Sequence, residues 1–156
     1  MLEVGAKAPE FVLANDEGGE TSLTDLLQDG PLILYFYPAD FTPGCTKEAC
    51  SIRDIHNDIQ AVGLRVAGVS PQDVESHQKF RDEYELPFTL LSDPDKVAVE
   101  MYDVDGPFGV GVRRATFRIS QDRVIKDAVM ADVRIGRHQE FIEKAIVLRE
   151  TAGKAR

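Results

Sequence analysis

The 156-residue chain holds only two cysteines, Cys45 and Cys50, and three histidines. So few cysteines exclude a disulfide-stapled scaffold, and a chain of this length has no need of one, since it buries about two thirds of its unfolded surface in a single core. A structural zinc site is excluded on spacing: C-x4-C without a second pair matches no common arrangement. The histidines do not complete one. His56 falls near the C-terminal half of the helix predicted after Cys45, while His77 and His138 lie on other predicted helices. Basic residues are also scarce, 18 Lys and Arg against 27 Asp and Glu, leaving a net charge of −9. That balance argues against nucleic acid or an anionic membrane as partner, because both demand basic patches. No apolar run reaches transmembrane length, and Met1-Leu2-Glu3-Val4 lacks the basic and apolar regions of a signal peptide, so the expected location is the cytoplasm. Repeats, low-complexity tracts and linkers are missing as well. The expected organisation is one domain over residues 1–150 with a short polar tail, Thr151–Arg156.

What is present is concentrated around the two cysteines. The apolar run Leu32-Ile33-Leu34-Tyr35-Phe36-Tyr37 predicts a strand buried on both faces, ended by Pro38. Thr42-Pro43 has the form of a helix start, a hydroxyl residue able to cap followed by proline at the first helical position, and Ile52, Ile55, Ile59 and Val62 continue at helical spacing. Cys45 therefore falls in the first turn of a helix, where unpaired N–H groups and the positive end of the macrodipole favour the thiolate. Cys50 lies five residues on, roughly 7.5 Å further along the axis and turned by about 140°. The corresponding Cα separation of roughly 8–9 Å exceeds the reach of a disulfide, so the two can bond only if the first helical segment unwinds. A pair of buried small hydrophobes is the bland alternative, since free cysteine is often core filler, but the helix-terminus placement of Cys45 argues against it.

Pro38, Thr42 and Cys45 match the P-x-x-x-T-x-x-C motif of the peroxiredoxins, and Thr42-Pro43-Gly44-Cys45-Thr46 followed by Cys50 resembles the Q-type, or bacterioferritin-comigratory-protein, branch of that family. Gly5–Phe11, Leu90–Asp95 and Arg114-Ala115-Thr116-Phe117 are similar to further family segments, so the resemblance spans roughly residues 3 to 148. It implies a thiol peroxidase acting on hydrogen peroxide and organic hydroperoxides. Cys45 is the peroxidatic thiol, Cys50 the resolving thiol that closes an intrachain disulfide, and thioredoxin or a similar dithiol protein the reductant. It implies no cofactor, and it leans towards a monomer. Two other classes stay open: a peroxide sensor or relay that passes its disulfide to a partner protein, and a general disulfide oxidoreductase. The second is weakened because C-x4-C on a helix is not the C-x-x-C of that class.

The chemistry asks for the same residue types. A thiolate that attacks one peroxide oxygen while the other departs as an anion needs donors that fix the peroxide and stabilise the departing charge. The Thr42 hydroxyl can reach the sulfur or a bound oxygen, and the Arg114 guanidinium supplies fixed positive charge. The resemblance implies that Pro38 packs over the sulfur and limits water. Glu48, one turn after Cys45, is a candidate to orient Arg114, although the helix dipole alone also explains an early glutamate. Arg113 must face away from Arg114 in a strand and reads as a solvated charge.

Strand and helix signals alternate along the rest of the chain. Strands are predicted at Leu64–Ser70, Thr89–Ser92, Ala115–Ser120 and Val124–Met130, and helices at Gln72–Tyr84, Lys96–Met101 and Arg137–Glu150. This order fits an α/β domain, a central mixed sheet with helices on both faces. A flavodoxin-like fold shares the alternation; the hairpin expected across Gln121-Asp122-Arg123, together with the resemblance, selects the thioredoxin-like fold. The segment Asp103–Arg113 is shorter than the corresponding loop of many Q-type members, and it is expected to be flexible and to border the peroxide pocket. Its G-x-x-G-x-G neither follows a clear strand nor opens a helix, which excludes a dinucleotide site.

Overall fold

The computed structural model describes residues 1–154. Seven strands form one mixed sheet: β1 (Val12–Asn15), β2 (Glu20–Ser22), β3 (Leu32–Phe36), β4 (Arg65–Ser70), β5 (Thr89–Ser92), β6 (Ala115–Ile119) and β7 (Ile125–Met130), in the spatial order β2-β1-β5-β4-β3-β6-β7. The neighbours β3, β4 and β5 run parallel, while β1 pairs antiparallel with β2 and β5, and β6 with β3 and β7. Among the described residues six α-helices accompany it: α1 (Leu23–Leu26), α2 (Pro43–Asp54), α3 (His56–Ala61), α4 (Val74–Tyr84), α5 (Val97–Met101) and α6 (Gly136–Lys154).

The period of two in β3 divides the core. Leu32, Leu34 and Phe36 pack with Leu23 and Leu26 of α1 and Ala98 and Val99 of α5. Ile33 and Tyr35 face the other way, where Tyr37 joins them, and meet Cys45, Ala49 and Ile52 of α2, Phe80 of α4 and Ile142 of α6. Every residue of β3 is buried. A strand with no solvent face has to be apolar throughout, which is why it was the clearest strand in the sequence. The predicted thioredoxin-like α/β fold is therefore the observed one.

Boundaries shift where local chemistry competes with periodicity. The helix expected to continue to Val62 breaks at Ile55, whose amide bonds three residues back to Ile52, a tightening that ends α2 before α3 starts. The hairpin β1–β2 and the single turn α1 had no counterpart among the predicted elements. Their signals were short-ranged: Asn15 takes the amides of Glu17 and Gly19 on its side chain, and Ser22 with Asp25 forms a reciprocal capping box. The last helix continues through Lys154, so residues 151–154 of the expected tail are helical, while 155–156 lie outside the described residues.

At Gly68 in β4 an added Cβ would lie 2.7 Å from Tyr35 Cζ and 2.9 Å from its hydroxyl oxygen. Tyr35 is 1 % exposed and cannot swing into solvent. Gly68→Ala is expected to cost about 1–3 kcal/mol of stability through overpacking, read as a lower urea midpoint at unchanged slope.

Candidate active site

The predicted strand, turn and helix place Cys45 at the C-terminal edge of the sheet, where β3 leads through Pro38–Thr42 into α2. Cys45 is the third residue of that helix and 1 % exposed. The first intrahelical bond runs from Thr46 N to Thr42 O at 2.9 Å, so the Gly44 and Cys45 amides precede the ladder and leave their N–H groups without helical partners. Thr42 holds the N-cap position with extended backbone, yet its side chain caps nothing. Its hydroxyl donates instead to the Ala39 carbonyl at 2.9 Å. Having spent its one hydrogen there, it offers lone pairs to an incoming O–H rather than a donor to the sulfur, which revises one of the two roles expected of it.

Arg114 immediately precedes β6, the strand that pairs with β3, and its side chain crosses to α2. Nη2 donates to Cys45 Sγ at 3.3 Å and Nη1 to Glu48 Oε1 at 2.8 Å. Arg114 is 6 % exposed and Glu48 fully buried. Of the two readings of Glu48, dipole partner and partner of Arg114, the geometry is that of the second. Burial lifts the Glu48 carboxyl to about 7, against the pull of Arg114. Gly44 gives the guanidinium its room, because a Cβ there would stand 3.1 Å from Arg114 Nη2 and 2.8 Å from Ile135 Cδ1.

Arg113 turns outward as alternation requires, but it is paired as well as solvated: its guanidinium meets Asp132 Oδ2 at 2.7 Å, and Asp132 Oδ1 accepts the Arg114 amide at 3.0 Å. Asp132 thus anchors the backbone from which Arg114 projects. Pro38 is exposed at the rim, with its carbonyl turned towards the Ser70 hydroxyl. Cys50 is half-buried, on the same unbroken helix as Cys45, and both thiols are free. The segment Asp103–Arg113 is more ordered than expected. A bridge between Asp105 and Val112 closes it, a short 3-10 turn at Pro107–Gly109 shapes it, and Lys96 Nζ donates to the Gly109 carbonyl at 2.7 Å.

Two further groups of site residues have no signature in the sequence. Asp40, inside the Pro38–Thr42 turn, is buried and accepts from the Tyr37 hydroxyl at 2.6 Å and the Ser76 hydroxyl at 2.8 Å, while its Oδ2 lies 2.6 Å from His77 Nδ1. His77 Nε2 donates to the Leu91 carbonyl at 3.0 Å, so the cluster ties the turn before Cys45 to α4 and β5. Phe41 adds to it: held at φ 64, it stacks edge-on against Phe80 with ring centroids 5.2 Å apart. The second group is His138 on α6 with Thr116 on β6, both fully buried beside Glu48. Aspartate in a turn and histidine on an amphipathic helix carry no sequence signal of their own; only the packing of α4 and α6 brings them here. Among the described residues no group of three or more His, Cys, Asp or Glu side chains could hold a metal ion.

The sequence pattern of the AhpC/TSA family matches residues 4–128. A putative peroxiredoxin bcp of Coxiella burnetii is 47% identical over 143 residues, covering 88% of this chain and 93% of that one. The peroxiredoxin Bcp of Bacillus subtilis is 41% identical over 133 residues, covering 81% and 84%. Among solved structures, the peroxidoxin BcpB of Mycobacterium tuberculosis superposes with a TM-score of 0.88 at 32% identity, covering 95% of this chain and 98% of its own. A Xanthomonas campestris bacterioferritin comigratory protein, whose structures describe alkyl peroxide reduction activity, gives 0.83 at 28% identity, covering 95% and 97%.

Asp40→Ala leaves a buried histidine and two hydroxyls without their acceptor, and the expected loss is about 3 kcal/mol in urea denaturation, with slower reaction of Cys45 as the turn loosens. For Glu48 the sign follows from its raised value. Between the ordinary 4.5 and about 7 the folded protein holds a proton that the unfolded chain has released, so this carboxyl's contribution to stability falls as pH rises through that window. Glu48→Gln cannot titrate. Its stability measured relative to wild type is expected to rise from about pH 4.5 to about pH 7 and then level off.

Proposed function

The chain belongs to the AhpC/TSA family and is a thiol-dependent peroxidase, and we propose that Cys45 is its peroxidatic thiol and Cys50 its resolving thiol. The observation that carries this reading is the 3.3 Å contact of Arg114 Nη2 with the buried Cys45 sulfur at the start of α2. A guanidinium against the sulfur stabilises the thiolate and also lies where the oxygens of a bound peroxide must sit.

In the first step the Cys45 thiolate attacks one oxygen of ROOH. An S–O bond forms, the O–O bond breaks, and RO− leaves and takes up a proton. Arg114 and the free amides at the start of α2 stabilise that departing charge. Thr42 accepts the peroxide O–H and so fixes the direction of attack, while Pro38 closes the solvent side. Glu48 holds Arg114 in place. Cys45 is now a sulfenic acid. In the second step the Cys50 sulfur attacks it: an S–S bond forms, the S–O bond breaks, and water leaves. Both thiols lie on one helix that cannot bring them within bonding distance while wound, so the turns between them open for this step. An external dithiol then returns the two electrons.

Peroxides are the substrates and a thiol supplies the reducing equivalents. The finer reading is hydrogen peroxide together with organic hydroperoxides, and thioredoxin or a similar dithiol protein as reductant. A monomer suffices, because nucleophile and resolving thiol come from one helix of one chain. Among the described residues no helix is long and apolar enough to cross a membrane. The acidic charge and two free thiols suit the reducing cytoplasm.

The test mixes fully reduced protein with one equivalent of hydrogen peroxide, followed by intact mass after thiol blocking. Wild type is expected to become lighter by two hydrogens with no free thiol left. Cys45→Ser should consume no peroxide, and Cys50→Ser should complete one turnover and then stall or depend on an added thiol. Full thioredoxin-driven recycling in Cys50→Ser would remove Cys50 from its role.

A further inference from the structure

Behind the Cys45–Arg114–Glu48 row lies a buried pair that the reaction as described does not use. Glu48 Oε1 is occupied by Arg114, but Oε2 is buried and has no hydrogen-bond partner among the described residues. Facing it at 3.6 Å is His138 Nδ1, from the first turn of α6. The protonation of this ring follows from its neighbours. His138 Nε2 lies 2.9 Å from the Ala131 carbonyl, which only accepts, so Nε2 carries a hydrogen. In the neutral ring Nδ1 is then a lone pair, and the Thr116 hydroxyl donates to it at 2.8 Å. Burial holds His138 below its ordinary value, which keeps the ring neutral.

A lone pair opposite Oε2 distinguishes the two forms of Glu48. A carboxylate would set its negative charge against that lone pair with no donor on Oε2 among the described residues, whereas a carboxylic acid presents a hydrogen on that side. The charge of Glu48 in turn decides what Arg114 does. Opposite an ionised Glu48 the guanidinium charge is largely neutralised; opposite a protonated Glu48 it acts on the Cys45 sulfur.

We propose that His138 is a positioning residue for the peroxidase reaction: it holds Glu48 protonated and so directs the charge of Arg114 onto Cys45. This rests on Cys45 and Arg114 serving as assigned above. The other charged or titratable groups around Glu48 do not compete for that proton. Tyr35 on β3 is buried and pushed well above its ordinary value, so it stays neutral. Asp132, beside Arg113 and Arg114, is held below its ordinary value and stays ionised. Arg137, next to His138, only reinforces the neutral ring.

The experiment measures peroxide consumed in the first turnover by excess reduced full-length protein, as a function of pH. His138→Ala removes the lone pair and admits water, so Glu48 ionises at lower pH. The rate is expected to fall about tenfold near pH 7 and to converge on wild type by about pH 9, where Glu48 is ionised in both. Thr116→Val frees Nδ1 for the Glu48 proton, and the downward inflexion of the rate should move to higher pH instead. In a Glu48→Gln background neither substitution should alter the profile further. Parallel losses at all pH values, or an undiminished effect of His138→Ala in Glu48→Gln, would show a merely structural role and overturn the proposal. Should His138→Ala fail to fold, Thr116→Val alone and in Glu48→Gln decides the matter. Peroxide consumption that persists in Cys45→Ser would refute the underlying site assignment rather than the role of His138.

Discussion

One guanidinium organises this molecule's chemistry. Arg114 reaches from the start of β6 to α2 and donates to a thiol sulfur and a buried carboxyl oxygen at once, at 3.3 and 2.8 Å. Neither contact would hold its geometry in water, where an exposed ion pair contributes at most about 1 kcal/mol and its side chains are mobile. Here all three groups are buried, so the fork of Arg114 has one place to go. The neighbouring features follow from that placement. Gly44 has no side chain because the guanidinium passes over it, and Asp132 takes the Arg114 amide so that the chain enters β6 at a set angle.

Holding a cation, a thiol and a carboxyl group together inside a protein requires a rigid frame, and the frame is the sheet. Strand β3 is buried on both faces and delivers the chain to the turn before Cys45; β6 lies beside it and delivers Arg114. The turn itself cannot be held by packing alone, since Pro38 and Thr42 are exposed. It is fastened from beneath by Asp40, which gathers Tyr37, Ser76 and His77 around one carboxylate. Phe41 accepts a left-handed backbone at φ 64 in the same turn. For an aromatic residue that conformation costs about 1–3 kcal/mol and persists only where the surroundings enforce it. The rigid part of the site lies before Cys45, whereas the part that must open for the two thiols to meet lies after it, along α2.

The legible and the hidden parts of the site divide by the range of the interactions that make them. Cys45, Thr42, Pro38 and Cys50 fall within thirteen residues joined by a strand end and a helix start, and local rules for both elements were enough to place the thiol at a helix N-terminus. Arg114 stood out through its similarity to a family segment, and strand alternation correctly separated it from Arg113. Local rules erred where a side chain had two choices: Thr42 has the form of a capping residue but turns to Ala39. They also missed β1, β2 and α1, elements too short to show a period and specified by Asn15, Ser22 and Asp25 through hydrogen bonds to nearby backbone.

The sequence by itself determined the alternating α/β order, a central strand without a solvent face, and a thiol in the first turn of a helix, because each depends on neighbours a few residues away. Only the tertiary structure decided which charges meet that thiol. Glu48 became the partner of Arg114, Asp40 the clamp on the turn, and His138 the ring behind the carboxyl, through contacts between residues far apart in the chain. A buried carboxyl takes its protonation from whatever the fold packs against it, and no local pattern records what that will be.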